Sequence, residues 1–351
     1  WYLKDFQSFI DYNIQDVEIV DRLEDKMRLI ELCLTMAYDA KVNYMDVLGS
    51  VKYWDILIYN ELRKKNIVIP QKIQREKSEK FEGAYVKDPI VGLHKWVMSF
   101  DLNSLYPHLI MQYNISPETL VADEKVKNMS VEKLLNKEVD TSILKDATMT
   151  PNGALFKTTQ KGFLPELMQK MYDDRVKFKQ LMIEAQKDYE KTKDPKLQKT
   201  IAKFNNIQMA KKISLNSAYG AIGNVWFRYY NLLVAEAITT SGQLAIRYIE
   251  HTLNQYLNKI LDTRGEDYII ASDTDSVYIT FDNLVSKVFV SDTDDNKIVE
   301  FLDRVAKEKL EPFIDKSYQD LAEYVNAYEQ KMQMKREVIA DKGIWVAKKR
   351  Y

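Results

Sequence analysis

Cysteine and histidine are scarce in this chain of 351 residues, which limits the kinds of active site that it can form. Its one cysteine, Cys33, cannot form an internal disulfide, and its three histidines, His94, His108 and His251, lie far apart in the sequence. We expect Cys33 to be a buried apolar residue and the histidines to be surface or packing residues. The composition therefore argues against a zinc site and against a catalytic triad built on histidine.

Long apolar runs are also missing. No stretch approaches the roughly 18 consecutive apolar residues that a membrane-spanning helix requires, and the first residues do not resemble a signal peptide. The sequence predicts neither membrane insertion nor secretion. The chain begins with Trp1 rather than with methionine, so we expect it to be a piece of a longer polypeptide.

Net charge is almost zero, because 51 Lys and Arg residues face 52 Asp and Glu residues, but the charges are unevenly distributed. Residues 157–212 contain 14 basic and 7 acidic residues, and residues 331–351 contain 7 basic and 2 acidic residues. Since salt screens charges that lie more than about 8 Å apart, such local excess can bind phosphates on a neutral protein. Nucleic acid therefore stays among the candidate ligands.

What is present is the composition of a globular protein, with 46% hydrophobic and 29% charged residues and a length that suits about two domains. Apolar residues recur every three or four positions in residues 6–38, which predicts helix, whereas residues 66–95 are typical of a connecting segment. Pro165 and Pro195 each suit the first turn of a helix and predict a hairpin of two helices, of about 28 and 22 residues.

Acidic residues mark the predicted strands. Residues 96–101 form a β-type run that ends in Asp101, and residues 268–271 and 276–281 predict a hairpin with Asp273 and Asp275 at its tip. Three carboxylates on converging strands suit two divalent cations about 3.5 to 4 Å apart, which is the arrangement used for phosphoryl chemistry. The tripeptide Asp273-Thr274-Asp275 alone is weak evidence for such a site, since Asp292-Thr293-Asp294 repeats it without flanking strands.

Basic residues mark the predicted helices. Arg175 and Lys179 are four residues apart, and Lys212, Asn216 and Tyr219 are four and three apart, so each set shares one helix face. Taken by itself, this pattern is better explained by a solvated charged helix. The dense aromatic cluster that follows, in residues 219–230, predicts a mixture of core residues and residues that stack on bases or sugars.

Three segments, in order along the chain, resemble the signature motifs of family B DNA polymerases. Asp101 followed by Ser104-Leu105-Tyr106-Pro107 resembles motif A, residues 212–220 resemble motif B, and Asp273-Thr274-Asp275-Ser276 resembles motif C. Lys348-Lys349-Arg350-Tyr351 is similar to the Lys-x-Tyr motif that contacts duplex DNA near the primer end. Residues 114–119 and 224–230 are most similar to the replicative polymerases of tailed bacteriophages. Tyr12 and Asp16 lie in a segment that resembles the third motif of the proofreading exonuclease.

The resemblance implies an α+β fold with the right-hand architecture of these polymerases. Residues 72–161 and 225–351 would form the palm, an antiparallel sheet with helices, and the helical hairpin of residues 162–224 would form the fingers. Residues 1–28 would be the C-terminal end of the exonuclease domain, and residues 29–71 the segment that returns to the N-terminal domain. We expect the thumb and the first two exonuclease motifs to be absent.

The resemblance also implies residue roles. Asp101, Asp275 and the Leu102 carbonyl would ligate two Mg²⁺ ions, with Mn²⁺ as an alternative, and Asp273 and Glu337 would lie near the metals. Lys212 would protonate the pyrophosphate that leaves. The other residues implied to contact the dNTP are Ser104, Leu105, Tyr106, Arg175, Lys179, Asn216 and Tyr219, and those implied to contact DNA are Lys349, Arg350 and Tyr351.

Some positions depart from the family pattern, namely His108, Ala218 and Ala271-Ser272. We expect these to alter packing and fidelity rather than metal binding. Without its partner acids, Asp16 is not expected to support proofreading.

Three hypotheses follow. The first is a polymerase core that uses primer-template DNA and dNTP in the cytoplasm of an infected host cell, with a sliding clamp and a single-strand-binding protein as partners of the full-length protein. The second is a DNA-binding fragment, or a subunit of a split polymerase, that needs the missing segments for turnover. The third, a metal-dependent nuclease or nucleotide hydrolase, ranks last because it does not explain Arg175, Lys179 and Lys212.

Overall fold

The computed structural model describes residues 2–73, 82–122, 125–290 and 293–351. Asp292, part of the repeated Asp-Thr-Asp tripeptide, lies outside the described residues, while Asp294 caps the helix that follows it. The chain divides into two compact units. Unit 1 comprises Trp1–Pro70 and Lys170–Ala218, and unit 2 comprises Gln71–Gln169 and Tyr219–Tyr351.

The N-terminal part of unit 1 is helical, as the apolar periodicity predicts. Its helices are α1 (Phe6–Met27), α2 (Leu29–Ala40) and α3 (Ser50–Lys64), with a 3₁₀ turn between the last two. Helix α3 contributes the largest buried side chains of this unit, Tyr53 and Trp54. The indole of Trp54 donates a hydrogen bond to the Ser217 hydroxyl.

Two long helices form the predicted hairpin, α6 (Phe163–Thr192) and α7 (Pro195–Ile222). Pro195 opens α7 and Pro165 lies in the first turn of α6, so both prolines occupy the positions expected of them. Between the two helices, the rings of Phe178 and Phe204 lie 6.0 Å apart. The helices are 30 and 28 residues long, so the second is longer than predicted.

The main sheet belongs to unit 2 and is antiparallel, with the strand order β4-β5-β1-β6. The strands are β1 (Gly92–Leu102), β4 (Ile269–Asp273), β5 (Ser276–Thr280) and β6 (Met334–Trp345); β2 (Ala147–Met149) and β3 (Leu155–Lys157) form a separate pair. The predicted hairpin of β4 and β5 is confirmed, whereas β6 was not predicted. The mixed α and β composition with an antiparallel sheet agrees with the α+β prediction.

Six further α-helices among the described residues belong to unit 2. Helix α8 contacts α4, α5, α11 and strand β4, and most of its first 18 residues are buried. A π-helical turn joins α10 to α11 without a break. The helices not yet given are α4 (Leu105–Gln112), α5 (Val131–Leu135), α8 (Leu232–Leu261), α9 (Asp282–Val288), α10 (Asp295–Val305) and α11 (Glu311–Tyr324).

The segment Asn114–Thr119 caps the N-terminus of α6. The Asn114 side chain accepts a hydrogen bond from the Gly162 amide, and the Glu118 carboxylate accepts one from the Phe163 amide at 2.6 Å. A side chain at Gly162 would approach Ser116 Cβ to 2.6 Å, so this close contact requires glycine. Polar groups that satisfy the free amides of a helix stabilise its first turn.

Helix α1 has no buried residue, although its sequence has an apolar stripe. Val17, Val20 and Leu23, which belong to that stripe, are each about half exposed or more. Cys33 is half-buried rather than buried as expected, because the only buried residues of α2 are Met36, Ala37 and Ala40 in its second half. None of the helices in the described residues is long and apolar enough to span a membrane.

Candidate active site

The acidic residues of motifs A and C lie on adjoining strands of the main sheet. Asp273 ends β4, and Thr274 and Asp275 form the two-residue turn before β5. Asp101 pairs with Ser276 of β5, and the amide of Leu102 donates a hydrogen bond to the Asp275 carbonyl at 2.9 Å. Backbone hydrogen bonds therefore connect the strand that carries Asp101 directly to the turn that carries Asp275.

The turn itself is strained. Thr274 has φ of +57°, a left-handed conformation that β-branched residues rarely adopt. The Thr274 amide donates to the carbonyl of Tyr85, whose segment runs along the outer edge of β4, and its hydroxyl donates to Asp273. Strain of this kind persists where surrounding contacts hold the backbone, and it is frequent at functional sites.

Negative charge accumulates around Asp275. Burial raises the pKa of its carboxyl group, and the nearby carboxylates of Asp273 and Glu337 raise it further. Glu337 lies at an irregularity of β6, where Arg336 pairs with Phe100 and Val338 pairs with Ser99, so Glu337 itself opposes no residue of β1. Such a bulge redirects a side chain, and here it brings a carboxylate near Asp275.

Within the part of the chain that the structure describes, no three His, Cys, Asp or Glu side chains form a group that could hold a metal ion. Asp273 instead contacts the Lys349 ammonium at 3.7 Å. The assignment of Asp101, Asp275 and the Leu102 carbonyl as ligands stays a prediction.

Helix α4 begins directly after the acid-bearing strand. Ser104 adopts a left-handed conformation, and its carbonyl accepts the first helical hydrogen bond, donated by the His108 amide. The amides of Leu105 and Tyr106 come before that first hydrogen bond. Because such amides have no acceptor within the helix, they can bind an anion. His108 is buried, with its imidazole Nδ1 2.9 Å from the same carbonyl, so it is a packing residue as expected.

Tyr106 and Tyr219 stack on each other, with ring centroids 4.5 Å apart and planes inclined by 27°. Burial raises the pKa of Tyr219 to about 12, and burial followed by the charge of Asp275 raises the pKa of Tyr106. Tyr106 thus lies close to the acidic turn. The family resemblance implied a nucleotide contact for both tyrosines, but it did not predict that they contact each other.

The predicted cationic residues belong to unit 1. Lys179 and Lys212 are exposed, Arg175 is half-buried, and none of the three forms an ion pair among the described residues. Asn216 is exposed one turn after Lys212, as the spacing predicts. Lys211, by contrast, is buried and lies 2.8 Å from the Asp39 carboxylate and 3.4 Å from that of Asp174.

The basic segment near residue 350 folds into a turn against the sheet. Lys349 adopts a left-handed conformation, and the amide of Arg350 donates to the carbonyl of Ala347. Tyr351 stacks on Trp345, with centroids 5.7 Å apart, and accepts a hydrogen bond from the Tyr278 hydroxyl at 3.0 Å. Tyr278 was missed by sequence reasoning, although it lies three residues after Asp275 in the predicted strand.

The aromatic cluster after motif B is divided between core and surface. Phe227 and Tyr229 are buried, whereas Trp226 is 57% exposed. The prediction that part of this cluster is core is confirmed, and the stacking of the rest on bases or sugars stays a prediction. Tyr12 and Asp16, the residues of the exonuclease-like segment, lie on exposed positions of α1.

Positions that depart from the family pattern are buried. Ala218 and Ala271 are part of the core, and the Ser272 hydroxyl lies 3.3 Å from the Glu250 carboxylate. They lie where a side chain affects packing, and their effect on packing and fidelity stays a prediction.

The sequence model of DNA polymerase family B matches residues 50–351. The chain belongs to DNA polymerase family B. It is 36% identical to the DNA-directed DNA polymerase of Escherichia phage RB69 and 35% identical to that of Enterobacteria phage T4, in each case over 98% of this chain. It is also 30% identical to the DNA polymerase delta catalytic subunit of Glycine max, over 77% of this chain.

This family B chain spans less than half the length of its phage relatives. It covers 43% of the RB69 protein and 44% of the T4 protein. The match to the family model confirms the family resemblance expected from motifs A, B and C.

Proposed function

We propose that the chain is the catalytic core of a DNA-directed DNA polymerase, which transfers a deoxynucleotide from dNTP to the primer 3′-hydroxyl on a DNA template. The main support is the direct hydrogen bond between Leu102 and Asp275, which joins the acid-bearing elements of motifs A and C in a family B chain. In this proposal the main sheet is the palm and the hairpin of α6 and α7 is the fingers. The relatives suggest a role in viral replication, in the cytoplasm of the infected cell.

The donor set around the turn suits magnesium. Asp275 is partly buried and lies near two further carboxylates, Asp273 and Glu337, so a divalent cation would relieve their mutual repulsion. Asp101, Asp275 and the Leu102 carbonyl supply the hard oxygen atoms that Mg²⁺ prefers. When bound, a pair of Mg²⁺ ions would lower the pKa of the primer hydroxyl and neutralise the triphosphate.

The side chains of this chain would then orient the nucleotide. Arg175, Lys179 and Lys212 would neutralise phosphate charge, and Lys212 would donate a proton to the leaving pyrophosphate. Ser104, Leu105 and Tyr106 would bind phosphate oxygens through their amides. Tyr106 would pack against the sugar and exclude a 2′-hydroxyl, which favours deoxynucleotides.

Further contacts would hold the DNA. Asn216 and Tyr219 would border the nascent base pair, and Lys349, Arg350 and Tyr351 would hold the primer end. The full-length protein would also bind a sliding clamp and a single-strand-binding protein.

A second candidate is a DNA-binding polypeptide that cannot turn over alone. It is favoured by the exposed apolar residues of α1 and by the coverage of less than half of each phage relative. In this case a second polypeptide that supplies the remaining segments would be needed for activity.

Primer extension by the purified chain tests both candidates. With Mg²⁺ we expect extension, and Asp101→Asn and Asp275→Asn should each reduce its rate on the order of 1000-fold, because each removes a metal-binding charge. Asp294→Asn is the matched control, since it makes the same change in the other Asp-Thr-Asp tripeptide, where asparagine caps a helix as well as aspartate does.

Extension that survives both aspartate substitutions would show that the site assignment is wrong. DNA binding without extension, rescued by a chain carrying the remaining segments, would support the second candidate. Release of nucleotide without a template would instead support a nucleotide hydrolase.

A further inference from the structure

Unit 1 contains a groove that the proposed polymerase reaction does not use. It has a volume of about 920 Å³ and runs between the junction of α1 with α2 and the first half of α7. Four basic residues line it, Lys26, Arg28, Lys199 and Lys203, together with one acidic residue, Glu31. The groove therefore carries an excess of positive charge.

Within the described part of the chain, ion pairs do not offset the charge of these basic residues. None of the four basic residues forms an ion pair with any residue that the structure describes. Glu31 accepts a hydrogen bond from the Asn206 side chain at 3.0 Å. Lys211, further along α7, shows the contrast, because it is buried between two carboxylates. Uncompensated cations on a concave surface concentrate negatively charged ligands.

Apolar surface accompanies the charge. The ring of Tyr38 is 85% exposed, and Met27 and Leu34 are 55% and 44% exposed. All three line the groove. A basic groove with an exposed aromatic ring is the combination that binds single-stranded nucleic acid, since the cations contact phosphates and the ring stacks on an unpaired base.

We propose that this groove binds a segment of single-stranded DNA. The proposal goes beyond the polymerase reaction and rests on it only for the source of the strand, which would be unpaired template. Duplex DNA suits the groove less well, because its bases are already stacked on each other and cannot stack on Tyr38. Lys199 and Lys203 lie one helical turn apart on the same face of α7, so they can contact successive phosphates.

Binding of a fluorescently labelled dT16 oligonucleotide to the full chain tests this proposal. We expect Lys199→Glu with Lys203→Glu to weaken binding at least about tenfold and to reduce the slope of log Kd against log salt by about 1.4, or about 0.7 for each lost phosphate contact. Tyr38→Ala should weaken binding about tenfold without changing that slope.

The matched control is Lys187→Glu with Lys191→Glu, which makes the same change of charge at exposed positions of α6 outside the groove. We expect this control to lose much less affinity. Equal losses in the two double variants would overturn the proposal, because the effect would then be one of overall charge. Thermal unfolding of each variant checks that it remains folded.

Two further measurements separate the alternatives. If the groove variants lose affinity for a poly-glutamate peptide but bind dT16 normally, the groove binds an acidic protein and the proposal is wrong. Extension of a primer on a template with a one-nucleotide overhang should be unchanged in the groove variants. If the unsubstituted chain extends no primer, the proposed polymerase function fails, while the dT16 result still decides whether the groove binds DNA.

Discussion

The acidic and the basic residues proposed for catalysis are held in different ways. In unit 2, Asp275 is partly buried in a tight turn, and backbone hydrogen bonds fix that turn to β1. In unit 1, Lys179 and Lys212 extend from helices into solvent. Carboxylates that share metal ions must keep fixed positions, whereas a long cationic side chain can follow a moving phosphate.

The same contrast recurs between two adjacent lysines of α7. Lys211 is buried between Asp39 and Asp174, and Lys212 is exposed without an ion pair among the described residues. Two residues of the same type, next to each other in the sequence, therefore have a structural and a proposed catalytic role. Substitution of each by methionine, which keeps most of the length of the side chain, separates these roles.

Among the substitutions that test this comparison, the largest effect is expected for Lys212→Met. If Lys212 donates a proton to pyrophosphate and neutralises its charge, its loss should lower the rate of nucleotide addition on the order of 100-fold. Single-turnover primer extension measures this rate, and the urea midpoint should not change. An unchanged rate would remove Lys212 from the proposed mechanism.

Lys211→Met should act on stability instead. Removing the lysine leaves the carboxylates of Asp39 and Asp174 without their shared partner, and we expect unfolding to become easier by about 2 kcal/mol, because both carboxylates are partly exposed. Urea denaturation measures this free energy. If the Lys211→Met variant has a normal free energy of unfolding but a slow rate of nucleotide addition, the two lysines have the opposite roles.

Gly343→Ala perturbs the aromatic residues next to the basic turn. A Cβ atom at Gly343 would lie 2.6 Å from the Trp345 ring, so the ring must move, and Trp345 stacks on Tyr351. We expect a loss of about 1 to 2 kcal/mol in the free energy of unfolding. Gly220→Ala is the control, because nothing lies within 4 Å of its added carbon and alanine favours the helix. Equal effects of the two substitutions would contradict the observed packing of Trp345.

The smallest effect concerns Asp275 in the absence of metal. Its pKa is raised in the folded chain, so the fold favours the protonated form, and ionisation destabilises the chain as pH rises through the raised pKa. In EDTA at neutral pH, Asp275→Asn should therefore raise the unfolding temperature slightly, by about 1 °C after solvent screening. At acidic pH the two chains should unfold at the same temperature. A lower unfolding temperature for Asp275→Asn at neutral pH would show that Asp275 stabilises the fold.

Local sequence patterns predicted the helical hairpin and the hairpin of β4 and β5. The signals used were proline positions and runs of β-branched residues, which act on the backbone of nearby residues in the chain. The same reasoning missed β6, in which charged residues such as Lys335 and Glu337 interrupt the apolar pattern. It also overestimated the burial of Cys33, since the apolar stripe of residues 6–38 does not show which of its members meet a core.

The sequence alone determined the order of the motifs, the family and the types of residue available for chemistry, because these depend on residue identity and spacing. Only the tertiary structure decided that Lys349 contacts Asp273, that Tyr106 stacks on Tyr219, and that Glu337 lies near Asp275. It also decided which of the two neighbouring lysines of α7 is paired. Such contacts join residues far apart in the chain, and their partners are selected by packing and strand register, which no local pattern specifies.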